Sequence, residues 1–498
     1  MCTGREEESM TLGKNRKKSR GRGGRLRWVL FRLAGVVVVL LPLVVFEVVL
    51  RLCVPAPAVD LDDPYVSFSG VRRLFVPDST GRRFETAKER LKAFRPQSFA
   101  AVKGPGAFRV FCLGGSTVQG RPYAVETSFT TWLELNLRAA RPDADFEVVN
   151  CGGISYASYR LVPIMRELLV HEPDLFIIYT GHNEFLEDRT YERVKKMPRT
   201  LMRLHLALLN LRSYSLGNQL LSRRRGGRSS KSVLPVEAQA KLDFEDGLKS
   251  YHRDNAWRRG TIAHFGRNLE SMVRISGGAG VPVILVNPVS NLKDCRPFKS
   301  QFGVGLSEQQ KGRVVELRAR AGKLGWGDTY GKIGLLEQAV AIDNRHASLL
   351  YLLGKCYARI GRFAEAKKWF VLAKEEDVCP LRIVEPMHEA VGRVAARYQV
   401  PLVDVKALIE ERTEDGIPGD EWLLDHVHPS IAGHQVIADA LYQAMEKMGL
   451  VRTGEGWRAA RDELWQRHLS SLDELYYAHG ADRLKRLKNW SRGPTPIE

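Results

Sequence analysis

The sequence predicts an α/β fold in which a doubly wound parallel sheet carries helices on both faces. Short apolar runs without strict alternation recur along the chain, as in strands that are buried on both faces. Segments with helical spacing lie between them, which is the order of a parallel sheet with crossover helices. The predicted strands are 108–113, 146–150, 175–179, 281–287 and 400–404, and clear helical patterns occupy 129–138, 159–169 and 262–275.

The composition is that of a folded protein with an uneven distribution of charge. The chain has 498 residues, 44% of them hydrophobic, and a formal charge of +19. Residues 1–32 carry ten Lys or Arg against three Glu, so this tail alone contributes +7. A second basic run, from Arg223 to Lys231, lies among Gly and Ser without interleaved aromatic residues. Neither run belongs to a nucleic-acid-binding motif, so we predict no nucleic-acid partner.

The N-terminal region predicts a membrane anchor. Residues 33–50 read LAGVVVVLLPLVVFEVVL, which is close to the length that a helix needs to cross a bilayer. We therefore predict a transmembrane helix over 33–52. The basic tail 1–32 before it places the N-terminus in the cytoplasm and the rest of the chain in the periplasm or at the cell surface. A cleaved signal peptide is the alternative, although Ala56-Pro57-Ala58 is a poor cleavage site.

The rest of the chain divides into an α/β domain with insertions. Residues 53–105 form a lead-in segment, 106–305 and 381–450 the two parts of the α/β domain, and 451–498 a helical tail. A basic loop interrupts the first part at 186–255, and a helical insertion occupies 306–380. That insertion has the residue spacing of a tetratricopeptide unit at Leu353, Gly354, Tyr357, Gly361, Phe363, Ala366, Phe370 and Ala373. An ordinary helical hairpin is the alternative, and in either case we expect the insertion to pack on the α/β domain.

The cysteines do not predict a metal site. Seven cysteines occur without a CxxC pair or metal-ligand spacing, so we predict neither a structural zinc nor any cofactor. Cys112 and Cys151 lie in strand-like runs and are predicted to be core residues. Whether Cys295 and Cys379 form a disulfide is left open by the sequence.

A serine follows the first predicted strand at a glycine-rich turn. The run ends FCLGGSTVQG, which places Ser116 after Gly114 and Gly115, where sites form in parallel sheets. Free backbone amides at such a turn can surround a nucleophile and its oxyanion. A phosphate-binding turn is the alternative, but neither a Walker lysine nor GxGxxG is present.

Two further segments supply polar side chains at the ends of predicted elements. The third run ends IIYTGHNEF, which places Asn183 just beyond that strand. Near the C-terminus, DHVHP provides Asp425, His426 and His428 just before an apolar-periodic helix. Taken alone, Asn183 could cap a helix, and His426 with His428 could bind a metal. The joint occurrence of these residues at the ends of predicted elements favours catalysis.

In this order the segments resemble the SGNH hydrolases, which are esterases and lipases also called GDSL hydrolases. The resemblance covers residues 106–305 and 380–450 and implies a flavodoxin-like sheet. It implies that Ser116 is the nucleophile, that His428 is the general base and that Asp425 orients His428. It also implies that the Ser116 amide and the Asn183 side chain hold the oxyanion.

The sequence departs from the SGNH pattern at two positions. Gly115 stands where GDSL has its aspartate, a residue without a chemical role. The family has a second sequence block, after the second strand, that contains an asparagine and an oxyanion glycine. Alignment of Asn150 with that asparagine puts Ser155 where the glycine is expected. A serine adopts the backbone angles of that glycine only with strain, so the second-block donor is either Ser155 or one of Gly152 and Gly153.

These features predict a serine ester hydrolase that acts on O-acyl esters of a carbohydrate or lipid through an acyl-enzyme at Ser116. One alternative is an O-acyltransferase for an envelope polysaccharide, because a sugar hydroxyl can accept the acyl group instead of water. Another is a non-catalytic scaffold at the membrane that binds a protein partner through the repeat segment. The intact set of Ser116, Asp425 and His428 argues against a scaffold, which needs none of them.

Overall fold

The computed structural model describes most of the chain beyond residue 72. The described residues are 31–32, 66–68, 73–189, 213, 232–234, 237–243, 246–452 and 454–492, with scattered positions between 35 and 52. They belong to two compact units, Met1–Leu61 with Arg199–Ser229 and Asp62–Pro198 with Ser230–Glu498. Most of the predicted basic loop, 186–255, lies outside the described residues.

In the first unit, the described positions between 31 and 52 are helical. The Glu47 carboxylate is 9% exposed and accepts hydrogen bonds from the Ser213 backbone amide at 2.9 Å and from its hydroxyl at 2.8 Å. Among the described residues, no helix combines the length and the apolar character that crossing a bilayer requires. Almost all of the predicted basic tail and much of the predicted helix 33–52 lie outside the described residues.

The second unit contains the strands and the long helices. Its strands are β1 Val66–Phe68, β2 Phe75–Pro77, β3 Arg83–Thr86, β4 Ser98–Ala100, β5 Phe108–Gly114, β6 Phe146–Gly152, β7 Leu175–Tyr179, β8 Ser232–Leu234, β9 Val283–Asn287 and β10 Leu402–Asp404. Its helices are α1 Ser116–Gln119, α2 Phe129–Ala140, α3 Ser158–Leu168, α4 Asn255–Gly278, α5 Glu308–Lys323, α6 Thr329–Ile342, α7 Ala347–Arg359, α8 Phe363–Glu375, α9 Glu385–Tyr398, α10 Val405–Arg412, α11 Ile431–Lys447, α12 Trp457–Ser470 and α13 Glu474–Arg492.

Within the described residues, five parallel strands form the central sheet in the order β10-β9-β7-β5-β6. These are the five predicted strands, so the predicted α/β fold with a parallel sheet is confirmed. If these five strands are numbered by their order in the sequence and read from the β6 edge, their arrangement is 2-1-3-4-5. The switch point lies between β5 and β7. Residues that follow these two strands therefore meet at one edge of the sheet.

Helices cover both faces of this sheet, which explains why its strands are continuously apolar. From Val110 to Leu113, every residue of β5 is 0% exposed. Side chains of α2 and α11 pack with one face in a core that includes Val110 and Cys112. Side chains of α3, α4 and α9 pack with the other face around Phe111 and Leu113. Cys112 and Cys151 are core residues, as predicted, and Cys295 and Cys379 are free thiols.

The lead-in segment contains a small sheet that the sequence did not predict. Strands β2, β3 and β4 pair antiparallel. The Phe99 ring packs against Phe75 at 5.0 Å and against Phe111 of β5 at 5.4 Å between ring centroids. Edge-to-face pairs of this kind contribute about 0.5–1.5 kcal/mol each beyond the area that they bury. The lead-in thus extends the core on one face of the central sheet.

The insertion between β9 and α9 consists of α5 to α8. Helices α7 and α8 pack closely at Gly354, where an added Cβ would lie 2.8 Å from the Phe370 ring. The core of the insertion also contains Leu292 and Ile417 from the α/β domain. As expected, the insertion packs on that domain. Its identity as a tetratricopeptide repeat stays a prediction.

The C-terminal tail is helical and lies along the segment that follows α1. In α12, Trp465 packs on Trp132 with ring centroids 5.4 Å apart. In α13, the Tyr476 hydroxyl lies 2.8 Å from Thr127 Oγ1. An added Cβ on Gly480 would lie 2.1 Å from the Tyr123 ring, so only glycine allows this approach. The tail therefore reaches the carboxyl edge of the sheet.

Candidate active site

Ser116 is the first residue of α1 and is presented by two glycines at the end of β5. A Cβ on Gly114 would lie 2.2 Å from the Tyr179 carbonyl oxygen, and a Cβ on Gly115 would lie 2.4 Å from Asn183 Nδ2. Side chains larger than hydrogen therefore do not fit here. Gly115 makes room for the Asn183 amide, which gives a spatial reason for a glycine at this position.

Asp425 and His428 lie in one short loop before α11, where the backbone fixes both side chains. Asp425 Oδ1 accepts hydrogen bonds from the backbone amides of Val427 and His428, each at 2.9 Å. His428 Nδ1 lies 2.8 Å from Asp425 Oδ2 and 3.0 Å from Oδ1. The other ring nitrogen, Nε2, lies 2.7 Å from the Ser116 hydroxyl oxygen. The three predicted side chains thus form a continuous chain of hydrogen bonds across 312 residues of sequence.

The electrostatics of this loop favour an ionised Asp425, which determines where His428 carries a proton. Burial opposes ionisation of Asp425, but the nearby charges of His428 and His426 and the hydrogen bonds hold its pKa well below the usual range. An ionised carboxylate accepts hydrogen bonds only, so His428 Nδ1 carries the proton. In the neutral form of the ring, the lone pair is then on Nε2, which faces the Ser116 hydroxyl. This is the tautomer that general-base catalysis requires.

His426 lies next to this chain of hydrogen bonds without belonging to it. Its ring centroid is 6.0 Å from that of His428 and 5.3 Å from the Phe298 ring. Burial lowers the pKa of His426 to about 4. Both nitrogens of His428 are already hydrogen-bonded to Asp425 and Ser116, which favours a base over a metal ligand. Within the described residues, no group of three or more His, Cys, Asp or Glu side chains is arranged to hold a metal ion.

The Asn183 side chain lies at the same edge as Ser116. Its Nδ2 donates to the Tyr156 carbonyl oxygen at 3.0 Å and lies beside Gly115. This contact orients the amide and leaves its second hydrogen for another acceptor. Asn183 and Ser116 line the same cavity, so an amide donor and a hydroxyl group border one open cleft.

The second-block backbone distinguishes among the three candidate donors. The Gly152 amide donates to Asn150 Oδ1 at 3.0 Å, and the Gly153 amide donates to the Gly114 carbonyl at 3.0 Å. The Ser155 amide has no hydrogen-bond partner among the described residues. Ser155 has a φ of 61°, a left-handed conformation that favours glycine. It also lines the cavity with Ser116, so Ser155 is the candidate with a free amide at the site.

The cavity above Ser116 has a volume of about 310 Å³ and includes residues that the sequence did not single out. Besides the predicted site residues, it is lined by side chains that include Arg121, Arg483, Arg486, Leu487 and Trp490. The last four belong to α13. Arg486 and Leu487 follow Arg483 by three and four residues, and Trp490 follows Leu487 by three, so the four side chains share one helix face. This helical spacing was the only feature of the sequence that could have grouped the four residues, and it does not indicate which surface the helix covers.

Neither a protein-family model nor a curated protein matches this chain. Among solved structures it is similar to a lipase/acylhydrolase from Enterococcus faecalis at 14% identity, covering 70% of this chain and 100% of that one with a TM-score of 0.30. It is also similar to an alpha/beta hydrolase enzyme from the metagenome of Lake Arreo, at 13% identity over 69% and 97% of the two chains with a TM-score of 0.31. A catalytic mutant of an acetylxylan esterase from Geobacillus stearothermophilus matches at 14% identity over 69% and 95%, with a TM-score of 0.31. With TM-scores this low, these likenesses assign no activity to this chain.

Proposed function

We propose that this protein is a serine ester hydrolase that acts on O-acyl esters of a carbohydrate or lipid. The observation that supports the proposal is the chain of hydrogen bonds from Asp425 through His428 to the Ser116 hydroxyl, which lies in a cavity at the switch point of the sheet. An activated serine beside free amide donors is the arrangement that acyl transfer requires. The acyl group is retained on Ser116 until a water molecule releases it.

In the first half of the reaction, the Ser116 Oγ attacks the acyl carbonyl while His428 Nε2 takes its proton. The negative charge on the carbonyl oxygen is stabilised by the Ser116 amide, by Asn183 Nδ2 and by the Ser155 amide. His428 then gives the proton to the departing alcohol oxygen, and the ester bond breaks. In the second half, His428 takes a proton from water, whose oxygen attacks the acyl-enzyme. The acid is released and Ser116 regains its proton.

Hydrolysis of 4-nitrophenyl acetate by the full-length chain in detergent tests this function. We expect turnover by the wild type, and loss of turnover and of fluorophosphonate labelling in Ser116→Ala. His428→Ala is expected to abolish turnover, whereas the matched variant His426→Ala largely preserves it. Equal loss in both histidine variants would instead indicate a metal site. Absence of both turnover and labelling in a folded wild-type protein would refute the esterase.

We also propose that the chain is anchored by one N-terminal helix, with the catalytic domain outside the cytoplasm. The apolar residues 33–50 and the basic residues before them support this arrangement. The helical insertion is the candidate surface for a protein partner. Protease treatment of intact cells, compared with lysed cells, tests the topology: digestion of the catalytic domain only after lysis of the inner membrane would place it in the cytoplasm.

A further inference from the structure

Arginine side chains are concentrated at the wall of the catalytic cavity. Arg121, Arg483 and Arg486 line it together with Ser116. Arg95 belongs to the same group. Burial is the main cause that lowers the pKa of Arg121 and of Arg483, and the charge of Arg95 is the second cause for both. We call these four residues the arginine cluster. None of them has a role in the reaction steps described above.

The arginine cluster is assembled by contacts between α13 and the segment after α1. Arg483 Nε donates to the Pro122 carbonyl oxygen at 2.7 Å, which holds Arg483 beside Arg121. Less than one helical turn earlier, Gly480 allows the close approach to Tyr123. Both contacts hold α13 against residues 122–123. The fold therefore fixes where the arginine side chains begin, and only their outer ends can move.

The charges of the arginine cluster are poorly compensated. Within the described part of the chain, the side chains of Arg95 and Arg121 form no ion pair, and Arg95 Nε is buried without a hydrogen-bond partner. Arg486 pairs with Asp482 at 2.5 Å, but their side chains are 69% and 55% exposed. An exposed pair of this kind contributes little and can exchange partners.

Among the described residues, the carboxylates near the arginine cluster form no buried ion pair with it. Asp243 lines the cavity and Asp425 lies beneath it. Asp482 pairs with Arg486 at an exposed position, and Glu126 near Arg483 is also exposed. Asp243 accepts a hydrogen bond from Trp490 Nε1 at 2.8 Å, and Asp425 is engaged by His428. Within the described residues, neither of these two carboxylates forms an ion pair with the arginines, so the cluster has donors for an external anion.

We propose that the arginine cluster binds a carboxylate or phosphate group carried by the ester substrate, next to the acyl bond that Ser116 attacks. This inference rests on the proposed esterase function and narrows its substrates to anionic esters. Guanidinium groups match the geometry of both anions through paired hydrogen bonds. Leu487 and Trp490, on the same face of α13, provide apolar contacts for the neutral part of the substrate.

Matched pairs of neutral and anionic esters test the proposal. On the acyl side, 4-nitrophenyl butyrate is compared with mono-4-nitrophenyl succinate, in which a carboxylate replaces the terminal methyl group. On the alcohol side, phenyl acetate is compared with 3-acetoxybenzoate and with 3-acetoxyphenyl phosphate. The quantity measured is the ratio of kcat/KM for the anionic ester to that for its neutral partner, at low and high salt. The two alcohol-side anions separate a carboxylate source from a phosphate source.

We expect the full-length wild type to prefer the anionic ester in at least one pair, and the preference to fall as salt increases. Arg121→Gln and Arg483→Gln should each lower that ratio by about tenfold, since each removes charge-assisted hydrogen bonds. Arg486→Gln, at an exposed position, gives a variant whose folding is not in question. Lys485→Gln is the matched control on the same helix, because Lys485 is exposed and does not line the cavity. An unchanged ratio in all three arginine variants, or a preference for the neutral ester in every pair, overturns the proposal.

A binding measurement separates this proposal from the esterase function. Ser116→Ala is titrated with 3-acetoxybenzoate, 3-acetoxyphenyl phosphate and mono-4-nitrophenyl succinate by calorimetry. Saturable binding that is lost on adding Arg121→Gln supports the anion site even if no ester is hydrolysed. Turnover of neutral esters with no binding of any anionic ester overturns the anion site and leaves the esterase intact.

Discussion

Asparagine in place of Asp425 removes one charge from the loop that carries His428 and keeps nearly the same side-chain shape. The amide oxygen of the new side chain would keep the bonds from the Val427 and His428 backbone amides, which now meet at Oδ1 at 2.9 Å. The new NH₂ group would take the place of Oδ2, which lies 2.8 Å from His428 Nδ1. Because that group is a donor, the imidazole must accept at Nδ1 and carry its proton on Nε2. The ring then has no lone pair for the Ser116 hydroxyl.

We expect this tautomer change to lower kcat by about 10,000-fold, which corresponds to about 5.5 kcal/mol of transition-state stabilisation. The assay is release of 4-nitrophenol from 4-nitrophenyl acetate by the full-length chain. Asp420→Asn is the matched control, because Asp420 accepts from Asn291 Nδ2 at 2.8 Å in the same region but contacts none of the reacting groups. An Asp425→Asn variant that keeps more than about a tenth of wild-type kcat would refute the reasoning.

The same variant tests the electrostatics of the loop in the absence of substrate. The folded-state pKa of Asp425 lies below its unfolded value, so the carboxylate stabilises the fold above about pH 4. That contribution is lost as the pH falls through the lower folded-state value. Asp425→Asn should therefore be less stable than the wild type at pH 7 in urea unfolding, and the difference should shrink in acid. A difference that is constant with pH would mean that the charge does not contribute.

Asn183→Ala should lower kcat for 4-nitrophenyl acetate by about 100-fold with a small effect on KM, because an oxyanion donor acts mainly in the transition state. A rise of KM by about 100-fold would instead indicate that Asn183 binds the substrate. Ser155→Gly should retain kcat, since the backbone amide is the donor and the φ of 61° suits glycine, whereas loss of activity would assign a role to the serine hydroxyl. Burial lowers the pKa of His426 to about 4, below the unfolded value of about 6.5, so the unfolded chain binds more protons and stability falls as the pH drops between these values. His426→Gln should reduce that slope by up to about 1.4 kcal/mol per pH unit in urea unfolding, and an identical slope would contradict the assignment. Gly480→Ala should displace α13, because the new Cβ would lie 2.1 Å from the Tyr123 ring; we expect a lower melting temperature and faster proteolysis of the tail, and an unchanged protein would mean that this contact is not close.

Features encoded by short segments of sequence were predictable. The strands of the central sheet are buried on both faces, so each appears as an uninterrupted apolar run, and the turn after β5 requires its glycines. Asp425 and His428 are three residues apart and approach each other within one loop. Their meeting with Ser116 could be anticipated because parallel strands end at a common edge.

Features that depend on distant packing were not predictable. Strands β2 to β4 have only three or four residues each, too few to show an alternating pattern, and they are stabilised by aromatic contacts such as that between Phe99 and Phe111. Helix α13 has an apolar and basic face, but only the folded chain shows that this face covers the cavity. The left-handed backbone of Ser155 likewise follows from the surrounding structure, since serine has no preference for it.

The shared core of the helical insertion limits how this domain could be shortened by protein engineering. Leu292 and Ile417 of the α/β domain lie in that core. Backbone hydrogen bonds join their two segments: the Leu292 amide donates to the Pro418 carbonyl at 2.8 Å, and the Asn291 amide donates to the His426 carbonyl at 3.0 Å. Excision of α5 to α8 would leave two aliphatic side chains facing water beside the loop that carries Asp425 and His428. A minimal version of the domain would need polar replacements at both positions, together with a new linker.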